Sequence, residues 1–553
     1  MNSSFRFAAL LFVLGILFSE ESFAQPDTAR ITRKKVAAAQ ELLGLDFTRA
    51  EQDSMLGVLK EYLTDYDSLH KFPIPNGLPP ALVFDPIPTG FSFKPRAKQA
   101  RLGPMGRVKM PANTDDLAFY SVRELGELVR TRQISSTALT RFFIARLKKY
   151  SPMLLNVVNW TAERALDEAG RADAEIAAGR YRGPLHGIPY GAKDILAAKG
   201  YPTTWGSAIF KDRMIDEDAA VVRKLSEAGA VLVAKLTVGE FAWGDVWFDG
   251  MTRNPWDTAQ GSSGSSAGSA SAVAAGCLPF AIGTETWGSI VSPSSRCGAT
   301  GLRPTFGRVS RAGAMALSWS MDKIGPICRT VEDCAIVFDA IRGPDGIDRA
   351  VRDYPFNYPT NVSLKKLRIG YLKKDMDKDT SNAALNQAVL ETFRQKGLAL
   401  HEIELPNLGV FPMSFILTAE AAAAFDEITR TNQDDRMVRQ IKDAWPNYFR
   451  ASRFIPAVEY IQANRLRRMV IDEMQKLMDS IDVYIAPPFE GDNLLLTNLT
   501  GHPCVVLPNG FDKDGHPTSI TFVGRLYDEA AVLAVAKAYQ DATDFHKKHP
   551  KGF

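Results

Sequence analysis

Residues 265–275 (SSAGSASAVAA) are Ala, Ser and Gly apart from one Val. A helix of such residues has almost no side chain to bury. It makes sense only where backbones approach closely, in the centre of a domain. Gly276 ends it, and the apolar run Leu278 to Ile282 follows as a buried strand. A chain with this centre has to supply further strands and helices to cover it, and 553 residues at 45% hydrophobic and 23% charged are ample.

The surrounding sequence reads as mixed α/β. Strands are expected at 188–192 (ending at Lys193), 230–234, 367–371 and 483–486. Helices are expected at 161–178, 218–228 and 529–542, and as a pair over 121–150 split near Gln133-Ile134-Ser135-Ser136. Residues 411–474 are mainly helical with scattered aromatics. Upstream, residues 32–66 read as helix, with Val36, Leu42, Leu43, Leu56, Leu59 and Leu63 on its apolar face. The proline-rich stretch 72–95 is expected to wrap extended over a larger body.

The N-terminus has one charged side chain, Arg6, before an apolar run from Phe7 to Phe18, then Ser22-Phe23-Ala24 before Gln25. This is the pattern of a secretory signal peptide cut after Ala24, the run being short for a membrane span. Three segments are therefore expected: a signal peptide over 1–24, an accessory region over 25–110 and a catalytic domain over 111–550. The mature chain would be periplasmic or secreted, with no stable membrane span. A net charge of +3 without a run of five or more like charges argues neither for nucleic acid nor for an acidic tail, and no nucleic-acid partner is expected. Five cysteines (277, 297, 328, 334, 504) are too few for a disulfide scaffold. Export would permit a Cys328–Cys334 bridge, but buried free thiols are the preferred reading.

A serine hydroxyl needs a base before it can attack a carbonyl. None of the seven histidines sits in a triad motif, whereas Lys193 ends an apolar strand in GPLHGIPYGAKDI. Burial lowers a lysine pKa because the charged form loses solvation, so such a lysine can be neutral near pH 7. GIPYGAKD, GSSAGSA and GTETWGSI follow in that order, with glycines beside the candidate serines. Glycine lets backbone amides turn toward a ligand and form an oxyanion hole.

In these motifs, in PLHGIP and in GLRPTFGRVSRAGAMALSWSMDKIGPICRTVEDCA, the chain resembles the amidase signature family over about residues 117–542. The resemblance implies a mixed, twisted β-sheet core covered by α-helices, and an amidase that cleaves a carboxamide C–N bond in a small-molecule substrate, with no cofactor or metal. Carried over by position, Lys193 matches the catalytic lysine and Ser289 the nucleophile. Ser265 matches the middle serine, whose preceding peptide bond is cis; Ser262 is the alternative. The backbone amides of Thr286, Trp287, Gly288 and Ser289 would form the oxyanion hole. Neutral Lys193 would take a proton from Ser265, which takes one from Ser289; Ser289 attacks, and water then hydrolyses the acyl-enzyme. The family commonly has Asp, Gly and Arg where this chain has Glu285, Trp287 and Val291. Trp287 and its aromatic neighbours (Trp243, Trp247, Phe248) fit either an apolar acyl pocket or ordinary core. Two further readings stand beside an exported amidase: an amidotransferase A-type subunit, which export argues against, and an inactive binding protein of the same fold.

Other motifs carry less. Gly264-Ser265-Ser266-Ala267-Gly268 fits G-x-S-x-G, but that elbow follows a strand and residues 254–260 do not read as one. Ser320/Lys323 and Ser363/Lys366 both fit S-x-x-K. His546 and His549 lie in a polar tail and are too few for a metal site.

Overall fold

The computed structural model describes residues 31–93, 105–357 and 363–553. The expected signal segment, 1–24, lies outside them. Eleven strands form one mixed sheet: β1 (Val157–Trp160), β2 (Pro189–Lys193), β3 (Val231–Leu236), β4 (Phe280–Glu285), β5 (Thr300–Arg303), β6 (Lys323–Cys328), β7 (Ile369–Tyr371), β8 (Leu400–Glu402), β9 (Val483–Ala486), β10 (Cys504–Phe511) and β11 (Pro517–Gly524). Their spatial order is β1-β3-β2-β4-β6-β5-β10-β11-β9-β7-β8. The β2–β3, β2–β4, β7–β9 and β7–β8 pairs are parallel and the rest antiparallel. This is the mixed sheet covered by helices that the resemblance implies.

Every residue of β2, β3 and β4 is buried. Strands covered on both faces read as continuous apolar runs rather than alternating ones. That is why these runs stand out in the sequence. The helix Ala220–Glu227 lies in the crossover from β2 to its parallel neighbour β3. The small-residue segment folds as the helix Ala267–Ala274, buried at every position. A Cβ on its Gly268 would lie 2.5 Å from both Asn156 O and Thr237 N. The helix can therefore approach the neighbouring backbone only with glycine there.

The expected helical pair is Val122–Arg130 and Ser136–Leu154. Arg132 at φ +58° turns the chain between them, and the Ser135 side chain caps the second helix by accepting from Ala138 N.

Three expectations change. Residues 32–66 are not one helix but two, Arg33–Leu42 and Arg49–Leu69. Gly44 at φ +67° breaks the chain, and Thr48 with Glu51 forms a reciprocal capping box that starts the second helix. The proposed apolar face is not buried either: Gln52 is the one buried residue of these two helices. The chain divides into compact units at Pro75/Asn76. Finally, Asp257–Gly261 is a strand, paired with Arg253–Asn254 in a small ribbon.

Residues 76–93 belong to the larger unit and run over it without regular helix or strand, as the proline-rich composition suggested. Asn76 exchanges hydrogen bonds with Ala316 backbone (2.9 and 2.8 Å), and the Phe84 ring meets Phe306 edge-on at 5.0 Å. All five cysteines are buried and free, so Cys328 and Cys334 form no bridge.

Candidate active site

Lys193 is the last residue of β2 and is fully buried. Its Nζ donates to Ser265 Oγ at 2.8 Å, Thr284 Oγ1 at 2.8 Å and Ser266 Oγ at 3.1 Å. Burial lowers its pKa to about 7, although the negative charges of Asp322 and Glu285 work the other way. The next residue fixes the strand end. Asp194 pairs with buried Lys235 at 2.6 Å and accepts from Thr204 N at 2.9 Å.

The three hydroxyls around the amine are not equivalent. Ser266 Oγ donates to Thr284 O at 3.0 Å and accepts from Thr284 N at 3.1 Å, which ties the start of the small-residue helix to β4. Its proton is committed. Among the described residues, Ser265 Oγ has Lys193 Nζ as its one hydrogen-bond partner. The Gly264–Ser265 peptide bond is cis. The alternative, Ser262, is buried elsewhere, its hydroxyl donating to Ser263 O at 2.9 Å.

Ser289 closes the turn that follows β4. Its carbonyl accepts from Ser266 N at 3.2 Å, which brings the turn against Ser265. Among the described residues no hydrogen bond joins the Ser289 and Ser265 side chains. Gly288 has φ +86°, a left-handed conformation that suits glycine, and its carbonyl accepts from Ser292 N at 2.7 Å. Thr286, Trp287, Gly288 and Ser289 thus lie on one turn. The Thr286 hydroxyl donates to Asp322 Oδ1 at 2.6 Å. Oδ2 of the same carboxylate accepts from the amides of Leu317 and Ser318 at 2.8 and 3.0 Å.

Glu285 holds the turn from behind. Its Oε2 accepts from the amides of Ile290 and Val291 at 2.8 and 2.9 Å. Its Oε1 accepts from Arg303 at 2.7 Å and from Asn498 Nδ2 at 2.9 Å. Burial pushes the carboxyl pKa up, but Arg303 and the backbone donors outweigh it and hold it at about 2. The sequence marked Glu285 only as a departure, and it did not single out Ser266, Thr284 or Asp322. The register of β4 beside β2 and β6 brings Thr284 and Glu285 to the site, hydrogen bonds to Thr284 bring Ser266, and the bond from Thr286 brings Asp322; no local motif announces that.

The aromatics separate. Trp247 is buried against Phe248, and Trp243 packs on Trp445 at 4.8 Å between ring centres, so both belong to the core. Trp287 is exposed. A cavity bordered by Thr284 and Thr286 is otherwise mainly apolar, with Ile195, Met315, Leu317 and Ile324 in its wall. Arg311 also lines it, but is already paired with Asp348 at 2.8 Å.

Two of the remaining motifs reach this site without the chemistry they suggested: Ser265 and Ser266 of the G-x-S-x-G segment accept from Lys193, and Lys323 lines the cavity. The strand 257–261 ends short of the G-x-S-x-G segment, and Ser266 is buried rather than presented at an elbow. Ser320 bonds Glu420 at 2.7 Å, while Lys323 bonds Met321 O. His549 stacks on Phe119. Among the described residues, the one group with metal-ligating spacing is Asp512, Asp514 and His516, between β10 and β11.

The family model named Amidase matches residues 138–494, more than half of the chain. The chain belongs to the amidase signature family. The A-type subunit of a glutamyl-tRNA(Gln) amidotransferase from Acinetobacter baumannii is 35% identical over 485 residues, spanning 78% of this amidase-family chain and 98% of the relative. Among solved structures, the native peptide amidase of Stenotrophomonas maltophilia superposes with a TM-score of 0.70 at 30% identity, covering 78% of this chain and 98% of its own. An amidase family protein from Bacillus anthracis gives a TM-score of 0.71 at 28% identity, covering 79% and 93%. The chain is therefore similar both to hydrolases and to part of an amidotransferase within one family.

Proposed function

We propose that the chain cleaves a carboxamide C–N bond, with Ser289 as nucleophile, Ser265 as proton relay and Lys193 as base. The observation that carries this is the uncommitted Ser265 hydroxyl 2.8 Å from a buried Lys193 amine. A neutral amine takes the Ser265 proton as Ser265 takes that of Ser289. The Ser289 Oγ–carbonyl bond forms, and the oxyanion meets amides of the 286–289 turn. Ser265 then returns a proton to the leaving nitrogen as the C–N bond breaks. Water resolves the ester by the same relay.

The fate of the nitrogen separates two readings. A free hydrolase releases it, as the likeness to a peptide amidase suggests. An amidotransferase A-type subunit passes it on, and the curated relatives favour this reading over free hydrolysis. The mainly apolar cavity beside Thr284, where the Arg311 guanidinium is already neutralised by Asp348, supports the hydrolase. We further propose export, on the apolar run 7–18 and Ser22-Phe23-Ala24.

The deciding experiment follows ammonia release by the isolated full chain from glutamine and from uncharged carboxamides, with Ser289→Ala and Lys193→Ala in parallel. Turnover of uncharged amides, lost in both variants, establishes the hydrolase. Release from glutamine alone establishes the amidotransferase-type reading. Failure of a fluorophosphonate probe to label Ser289 in the wild type would leave only an inactive binding protein. The N-terminal residue of the mature protein, Gln25 or Met1, decides export.

A further inference from the structure

Trp287 is the one exposed residue between positions 281 and 290, at 38% of its surface. It stands two residues before Ser289, on the turn whose amides would face the substrate oxygen. Its ring meets that of Phe411 edge to face, with centres 6.2 Å apart at 68°. Phe411 is 55% exposed, although Val410 before it and Met413 two residues after it are buried. The backbone around Phe411 is a short 3-10 turn, Phe411–Met413, closed by Met413 N donating to Val410 O at 3.0 Å. Both rings are thus carried on fixed backbone and left open to solvent. Large apolar rings so placed beside a reactive site invite a ligand rather than water.

We propose that Trp287 and Phe411 form an aromatic clamp that selects carboxamides with a planar ring on the acyl group. This rests on the reading of Ser289 as nucleophile, and it deepens that reading by naming the substrate class. The leaving nitrogen has to face Ser265, its proton donor, so the acyl group extends the other way along the 286–289 turn. An edge-to-face pair leaves open ring faces, against which a third ring packs offset or edge-on. An aliphatic ring of the same size gains the area but not the quadrupole interaction.

The test uses Ser289→Ala full-length protein, which leaves amides intact, and titration calorimetry with 3-phenylpropionamide and 3-cyclohexylpropionamide. The phenyl compound is expected to bind about three- to tenfold more tightly. That preference should vanish when Phe411→Ala or Trp287→Leu is added. Phe411 lies outside the proposed oxyanion turn, so its variant isolates the ring from the amides. Equal affinities, a preference that survives both substitutions, or no binding of either amide overturns the clamp. Fluorophosphonate labelling of wild type and Phe411→Ala runs alongside. Absent labelling of Ser289 in the wild type sinks the nucleophile assignment, whatever the ring preference. Labelling in both with no ring preference sinks the clamp alone.

Discussion

Lys193 rests against hydroxyls, and its pKa of about 7 follows from burial. The sign of the pH dependence follows from its role. A base must be neutral, so kcat/KM for amide cleavage should fall about tenfold per pH unit below 7 and level off above it. A pH–rate profile with its inflection near 10, where an ordinary lysine titrates, would sink the assignment. Lys193→Arg stays charged at all accessible pH and should lose about as much activity as Ser289→Ala, on the order of 10³-fold or more, measured as ammonia release. Lys193 and Ser265 were named from the resemblance to the family, and the structure places the two side chains 2.8 Å apart. Ser266, Thr284 and Asp322 were not singled out, because a threonine in a strand or an aspartate before one looks like any other until the strands are in register. Glu285 was visible as an odd residue, but the four donors it satisfies come from residues as distant as Asn498.

At the scale of elements, the helix Ala267–Ala274 is set by contact distance. Gly268→Ala places a methyl 2.5 Å from two backbone atoms and should destabilise the protein by about 1–3 kcal/mol, read from the denaturant midpoint. Glu285→Ala acts on the turn after β4. It leaves Arg303 buried and without its carboxylate, at a cost of about 3–5 kcal/mol. Glu285→Gln keeps the shape of the side chain and should retain more of the fold than of the activity; denaturation and ammonia release together check this. Buried strands β2, β3 and β9 were legible as apolar runs. The break between Arg33–Leu42 and Arg49–Leu69 was missed because hydrophobic periodicity continues past Gly44, although Thr48-Arg49-Ala50-Glu51 carries a capping signature in plain sight.

At the scale of the whole molecule, the side chains named for the proposed catalytic centre come from residues 193–322, with support from as far as Asn498, all within the unit Asn76–Phe553. A chain starting at Asn76 should therefore keep amide cleavage within about twofold of the full chain. One starting near residue 110 loses the Asn76 and Phe84 contacts and should melt lower; thermal unfolding of the two truncations distinguishes them. The proline-rich stretch was legible as a segment that wraps a larger body, but its partners, Ala316 and Phe306, were not, because they lie more than two hundred positions away. The Glu285 cluster has one more consequence. Arg303 bonds Thr497 and the His502 carbonyl as well as Glu285, so the turn bearing Ser289 is braced by side chains encoded about two hundred positions downstream. Two relatives recombined at a crossover between these segments would exchange the brace but not the turn. Functional hybrids should emerge only where both parents agree at 285, 303 and 498, whatever their overall identity.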